Sequence, residues 1–183
     1  MLRCAPGVEW NILLDFFNEG VRILQVRVRK AIKIVNPAEI NAPIITHTFA
    51  VDKGRYGYIW KIYIKAEDPD GDMEKIAVVV DQMGYGHYPT EWIFLRPQYR
   101  AHLTGYLQWN TFSSKTSNLP DWTQITVKVS IFDKAGNESN QVLFPFTFES
   151  GSINQKYQLP APFDKENIPR LGNIMIDLYH VPY

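Results

Sequence analysis

Alternating acidic residues on a short turn are the strongest candidate for chemistry in this sequence. Asp68, Asp70 and Asp72 stand at every second position, with a proline and a glycine between them. Carboxylates spaced in this way on a tight turn can bring several hard oxygen ligands together around Ca²⁺. Asp133, beside a later turn, could join them if both turns lie at one end of the fold. These four aspartates form the predicted metal site.

A plain turn is the competing interpretation of the same residues, and it is the one that the sequence favours. An EF-hand loop would need glycine where Met73 stands and glutamate where Val79 stands, so the stretch is not an EF-hand. Asp-Pro-Asp-Gly is also a favourable turn sequence whose charges can remain solvated. We therefore expect no cofactor, with Ca²⁺ as the alternative.

Aromatic residues between positions 85 and 109 are the second candidate. They include Tyr85, Tyr88, Trp92 and Trp109, in a chain whose aromatic content is 14%. Exposed rings of this kind could form a stacking platform for sugar rings, as in carbohydrate-binding β-sandwiches. Amphipathic rings also commonly lie half-buried against a core, and that interpretation is favoured. A carbohydrate-binding module is therefore the alternative function.

Composition and motifs exclude several classes of function. Lys and Arg together number 19, as do Asp and Glu, so no net charge attracts nucleic acid. Cys4 is the only cysteine, which excludes an intrachain disulfide and a cysteine-based metal centre. The sequence contains no nucleophile elbow, phosphate-binding loop or zinc-protease motif. We expect a protein that is not an enzyme and does not bind nucleic acid.

The elements that must position these residues are predominantly β-strands. Apolar and polar residues alternate over residues 125–131 and again over residues 142–148, which predicts a β-hairpin. Pro145 cannot donate a ladder hydrogen bond, so the second strand of the hairpin is expected at a sheet edge. Strand-like runs fall near residues 44–51, 58–67, 75–82, 91–96, 103–110, 123–133 and 141–149. They predict an all-β fold, an immunoglobulin-like antiparallel sandwich of seven strands.

The same region resembles fibronectin type III and bacterial immunoglobulin-like domains. Residues 125–139 are similar to their penultimate strand and the turn after it, and residues 67–80 to their second-to-third strand turn. Trp60 is similar to their core tryptophan, whereas Ile125 stands where fibronectin type III domains usually carry a corner tyrosine. The resemblance covers residues 43–150. It implies a non-catalytic structural, adhesion or protein-interaction module of a bacterial surface or secreted assembly.

Two appendages are expected around this sandwich. Residues 1–42 predict a short helix, a basic-faced strand over residues 24–34 and a linker rich in proline and asparagine. Residues 151–183 predict an extended arm with one strand, in which Ile174, Ile176 and Leu178 share a side. Because a lone strand is unstable in water, we expect it to pair with residues 24–34, a neighbouring copy or a partner protein.

The sequence gives conflicting indications of location. The resemblance implies an extracellular or cell-surface protein. The amino-terminal stretch lacks the pattern of a signal peptide, because Glu9, Asp15 and Glu19 interrupt its apolar residues. No apolar run is long enough to predict a transmembrane helix. We expect the extracellular or surface location.

Overall fold

Ten β-strands and one short 3-10 turn form the part of the chain that the computed structural model describes, residues 41–151 and 157–180. These residues all fall within one compact unit, Ala38–Tyr183. Residues 1–40, where the N-terminal helix and the basic strand are predicted, lie outside the described residues. Within the described ranges, no helix has the length and apolar character needed to cross a membrane.

The strands form two sheets. In chain order they are β1 (Ile44–Phe49), β2 (Lys53–Gly54), β3 (Ile59–Glu67), β4 (Met73–Gln82), β5 (Gly86–His87), β6 (Glu91–Phe94), β7 (His102–Asn110), β8 (Gln124–Asp133), β9 (Val142–Phe148) and β10 (Arg170–Ile174). One sheet has the order β1-β3-β7-β10; the other has the order β2-β9-β8-β4-β5, with β6 also paired to β4. The seven predicted strand regions are confirmed as β1, β3, β4, β6, β7, β8 and β9.

Both sheets are mixed, which corrects the prediction of a wholly antiparallel sandwich. β10 runs parallel to β7, and the two-residue β2 runs parallel to β9. The other pairings are antiparallel. The two-residue β2 is too short to show an alternating pattern, and the alternation of Ile174, Ile176 and Leu178 predicts a C-terminal strand without indicating its direction.

The two sheets pack face to face through alternating apolar side chains. Trp60, Ile62 and Ile64 of β3 are fully buried, as their alternation predicts. The Trp60 ring centroid lies 4.4 Å from that of Phe146, which belongs to β9 in the opposite sheet. Burying one side chain of this size contributes about 1.5–3 kcal/mol before entropy is subtracted. The described chain is therefore a two-layer, all-β sandwich held by apolar packing.

The predicted hairpin is confirmed as β8 and β9. Its register places Val127 opposite Phe144, so the apolar residues of both strands share the inner face. Gly136 has a φ of 90° in the connecting turn, a conformation that glycine adopts without steric cost. β2 pairs with β9 only at its last two residues, Thr147 and Phe148. Pro145 thus lies where the outer side of β9 has no described ladder, as expected for an edge proline.

The C-terminal segment is integrated into the sandwich, so the expectation that its strand has no partner there is wrong, while pairing with a neighbouring copy or a partner protein stays a prediction. β10 pairs with β7, with Ile174 opposite Trp109. Beyond the strand, Trp109 Nε1 donates to the carbonyl of Ile176 at 3.1 Å, and Ser113 Oγ donates to the carbonyl of Leu178 at 2.6 Å. Ile174, Ile176 and Leu178 are buried. The free edge of β7, which only the tertiary structure reveals, supplies the partner.

The segment before β10 covers the outer face of the first sheet. Phe163 is buried, and its ring centroid lies 5.6 Å from that of Tyr63 on β3. Alternation alone places Tyr63 on the solvent side, opposite to Trp60. The returning chain buries it instead, so part of the sheet has apolar contacts on both faces.

Two glycines allow the returning chain to approach closely. A Cβ atom added to Gly105 of β7 would lie 2.5 Å from Leu171 Cγ and 2.8 Å from the carbonyl oxygen of Pro169. A Cβ atom added to Gly172 of β10 would lie 2.4 Å from a methyl carbon of Ile93 in the other sheet. Because neither glycine has a side chain, β10 can pack closely against β7 and against Ile93.

We expect Gly105→Ala to loosen β10 specifically. The added methyl must displace the body of Leu171 and the backbone at Pro169, and overpacking of this kind typically costs about 1–3 kcal/mol. Hydrogen exchange of the β10 amides should accelerate more than that of the β4 and β8 amides. Gly151→Ala is the matched control, because no atom lies within 4 Å of its added Cβ. Unchanged protection of β10 in Gly105→Ala would contradict the proposed fit.

Candidate functional site

The strand ends place acidic and aromatic groups at opposite ends of the sandwich. At one end, β3 leads into the acidic turn, and Glu67 pairs with His102 at the start of β7. Residues 67–72, 100–102 and 133–138 form this region, which we call the acidic end. The opposite end contains the turn after β4, the loop after β7 and the residues before β8. Its exposed members are Met83, Tyr85, Phe112, Trp122 and Tyr179, and we call them the aromatic end.

Three of the four predicted metal ligands are close together in the acidic turn. One carboxylate oxygen from each of Asp68, Asp70 and Asp72 lies within 4.8 Å of the others. Gly71, with a φ of 73°, allows the chain to reverse between them. The turn is anchored to the segment before β7, because Asp68 N donates to the carbonyl of Ala101 at 3.0 Å. The backbone therefore brings these three carboxylates together, as the alternative metal-site hypothesis requires.

Asp68 is the most buried member of the turn, with 4% of its surface exposed. Its Oδ2 accepts the backbone N–H of Asp72 at 2.9 Å, whereas its Oδ1 is buried and has no hydrogen-bond partner among the described residues. Asp72 Oδ1 is likewise buried and without such a partner. Asp70 is exposed. Two carboxylate oxygens thus lie out of water without a donor.

Burial and mutual repulsion change the acidity of these groups. Burial, together with the nearby charges of Asp70 and Asp72, raises the pKa of Asp68 from 3.8 to about 6, against the opposing hydrogen bond from the Asp72 amide. Burial also raises the pKa of Asp72, and the charges of Asp70 and Asp133 add to that effect. The ion pairs among the described residues involve other carboxylates. Among the described residues, Asp68, Asp70 and Asp72 thus form no ion pair, although the nearby charge of Lys134 opposes the rise in the pKa of Asp72.

Asp133 does not complete the predicted set of four. Its Oδ1 accepts the backbone N–H of Asn137 at 2.7 Å, and its Oδ2 accepts Nδ2–H of the same residue at 2.7 Å. It lies at the acidic end, as predicted, but both of its oxygens stabilise the β8–β9 turn. The four-residue spacing of aspartate and asparagine around Gly136 is a turn signal, and it could have predicted this role.

A cleft of about 480 Å³ adjoins the acidic turn. The residues that line it include Asp68 and Asp70, His102 at the start of β7, and Ile44 and Thr46 from β1. The sequence did not predict this cleft, because β1 and β7 are brought beside the turn only by the pairing of both strands with β3.

The four predicted aromatic residues do not form one platform. Tyr85 and Trp92 are exposed, whereas Tyr88 and Trp109 are buried. Trp109 lies on the inner face of β7, where it packs against Trp60 with 6.2 Å between ring centroids. The structure therefore corrects the prediction that Trp109 contacts a ligand, because alternation along β7 points it into the core.

Tyr88 binds the C-terminal segment to the aromatic end through hydrogen bonds. Its hydroxyl donates to Gln82 Oε1 and accepts the backbone N–H of Tyr179 at 2.9 Å. Gln82 Nε2 donates to the carbonyl of Tyr179 at 2.7 Å, and the Tyr179 ring stacks on Tyr85 with 5.0 Å between centroids. Burial raises the pKa of Tyr88 to about 12. Tyr88 is therefore a neutral structural residue.

Trp92 lies on the outer face of the second sheet, away from the aromatic end. Lys75 Nζ lies 4.8 Å from the centroid of its ring, and Phe132 contacts it edge-on with 5.4 Å between ring centroids. These neighbours occupy part of the Trp92 surface, and the exposed Phe94 lies beyond them on the same face. Trp92 and Tyr85 therefore belong to separate surfaces.

Sequence reasoning missed Met83, Phe112 and Trp122, which are among the most exposed apolar residues of the described chain. Trp122 has a φ of 70°, which is unusual for a large side chain, and its backbone N–H donates to the carbonyl of Phe148 at 2.7 Å. The three residues lie in irregular segments without periodicity, so no sequence pattern indicated their exposure.

We expect the stability of the protein, measured in a chelator, to depend on the ionisation of Asp68. Because its folded-state pKa is raised, protonated Asp68 contributes stability that is present below about pH 4 and is lost as pH rises through about 6. A shift of two pKa units changes the free energy of unfolding by at most about 3 kcal/mol. Asp68→Asn, which cannot ionise, should therefore gain stability relative to the wild type between pH 4 and pH 7 in urea unfolding.

Asp164→Asn is the control for this measurement, because Asp164 is exposed in the described C-terminal segment. It should differ from the wild type by the same amount at both pH values. If Asp68→Asn also showed a constant difference, the assigned acidity of Asp68 would be wrong.

Comparison of the chain with protein-family models, curated proteins and solved structures finds no match. Any proposal about function therefore depends on the geometry of this chain and on its own residues.

Proposed function

We propose that this protein is a non-catalytic, immunoglobulin-like interaction module that binds a protein partner through its aromatic end. The strand order supports the immunoglobulin-like assignment. β1, β3 and β7 are neighbours in one sheet, and β6, β4, β8 and β9 are neighbours in the other. This is the order expected if β4, β8 and β9 are the C, F and G strands of such a domain. The resemblance of residues 43–150 to bacterial surface domains supports a place in a surface or secreted assembly.

The concentration of exposed apolar side chains at one end is the observation that carries the proposal. Met83, Tyr85, Phe112, Trp122 and Tyr179 expose between 38% and 69% of their surface. Aromatic residues and methionine are enriched in the cores of protein interfaces, and tryptophan and tyrosine dominate binding energies there. The aromatic end therefore suits a partner segment with apolar side chains.

Hydrogen bonds hold the loops of the aromatic end in place. Thr111 N donates to the carbonyl of Tyr58 at 3.1 Å, and the Tyr56 hydroxyl donates to the carbonyl of Thr116 at 2.7 Å. Ser113 Oγ joins the same loop to the C-terminal segment at Leu178. A surface that is already ordered loses less conformational entropy on binding. This rigidity favours binding through preformed contacts.

Peptide selection on the full chain tests the proposal. We expect a random peptide library displayed on phage to yield peptides rich in apolar residues. Their Kd should rise at least about tenfold in Trp122→Ala, which corresponds to about 1.4 kcal/mol. Leu143→Ala is the matched control, because Leu143 is similarly exposed but lies on β9, outside the aromatic end.

Two results would contradict the proposal. Selected peptides that bind Trp122→Ala and the wild type equally would show that binding occurs elsewhere. Failure to select any peptide, together with binding to a glycan array, would support the carbohydrate-binding alternative in its place.

A further inference from the structure

We propose that the acidic end binds one divalent cation of the Ca²⁺ type through the carboxylates of Asp68, Asp70 and Asp72. This inference goes beyond the interaction function proposed above and does not depend on it, because the acidic and aromatic ends lie at opposite ends of the sandwich. The ligand class follows from the donors, since hard carboxylate oxygens are the ligands that Ca²⁺ prefers.

The unpartnered Oδ1 atom of Asp68 is the observation that distinguishes this turn from an ordinary acidic cluster. Only 4% of the residue is exposed, and while Oδ2 accepts the Asp72 N–H, the buried Oδ1 has no donor among the described residues. A buried charge is costly unless it is paired or coordinates a metal. A solvated turn, the interpretation favoured by the sequence, does not account for a carboxylate oxygen removed from water.

The second unpartnered oxygen extends the same argument. Asp72 Oδ1 is also buried without a donor, so the turn holds two such atoms from two different carboxylates. Hydrogen bonds position both residues: the Asp72 amide donates to Asp68 Oδ2, and the Asp72 carbonyl accepts the N–H of Lys134 at 3.2 Å. The carboxylates are therefore held in position before any ligand arrives.

The spacing of the oxygens fits a single ion. Ligand oxygens bind Ca²⁺ at about 2.4 Å, so two ligands of one ion are at most about 4.8 Å apart. One oxygen from each of the three carboxylates meets that limit. Asp70 is exposed, which leaves the ion access from solvent and room for water ligands to complete the coordination. Asp133 is not included, because it is not among the carboxylates that converge within this limit.

Calorimetric titration of CaCl₂ into the chelator-treated full chain tests the site. We expect one ion per chain, with a Kd at or below about 1 mM, and a rise in Tm because the ion binds the folded state. Asp70→Asn should weaken binding at least tenfold. This variant is suitable because Asp70 is exposed, so the fold should be retained. Asp164→Asn, an exposed acidic residue outside the turn, should bind Ca²⁺ as the wild type does.

Three outcomes would overturn the proposal. The first is that the wild type shows neither heat nor a Tm shift at about 10 mM CaCl₂, a concentration tenfold above the weakest expected Kd. The second is that the wild type and Asp70→Asn bind Ca²⁺ equally. The third is that the wild type binds MgCl₂ more tightly than CaCl₂. None of these measurements uses a peptide or the aromatic end. Failure of the cation site would therefore leave the proposed interaction function unaffected.

Discussion

The packing of Trp60 between the two sheets is the contact on which the rest of the structure depends. Its ring is fully buried and lies against Phe146 of the opposite sheet, while Trp109 packs beside it from the neighbouring strand. Its Nε1 donates to the carbonyl of Val51 at 2.9 Å, so burial leaves no unsatisfied donor. This one side chain joins β3 to β7, to β9 and to the segment after β1, and it fixes the distance between the layers.

The C-terminal segment extends this core toward the aromatic end. It adds β10 to the open edge of β7 and buries Tyr63 on the outer side. It then reaches the aromatic end, where Tyr179 is held by Gln82 and Tyr88. An edge strand that would otherwise present unpaired backbone groups is thereby covered within the chain. The same segment contributes an exposed ring to the surface proposed for partner binding.

The acidic end differs from the apolar core, because burial there lowers the stability of the fold. Apolar burial at the centre of the sandwich is favourable without further partners, whereas burial of the Asp68 carboxylate costs free energy. Proteins commonly tolerate such a local cost where a functional group must be held ready for a ligand.

The sequence by itself determined the strands, the hairpin and the inward face of β3, because alternation with a period of two is a local property that follows from strand geometry. It also placed Asp68, Asp70 and Asp72 on one short turn, whereas their convergence is a finding of the structure. Only the tertiary structure decided that Tyr88 is buried and that β10 pairs with β7. These outcomes depend on which strand edges remain free and which loops meet at one end, and contacts between residues far apart in the chain leave no periodic signal.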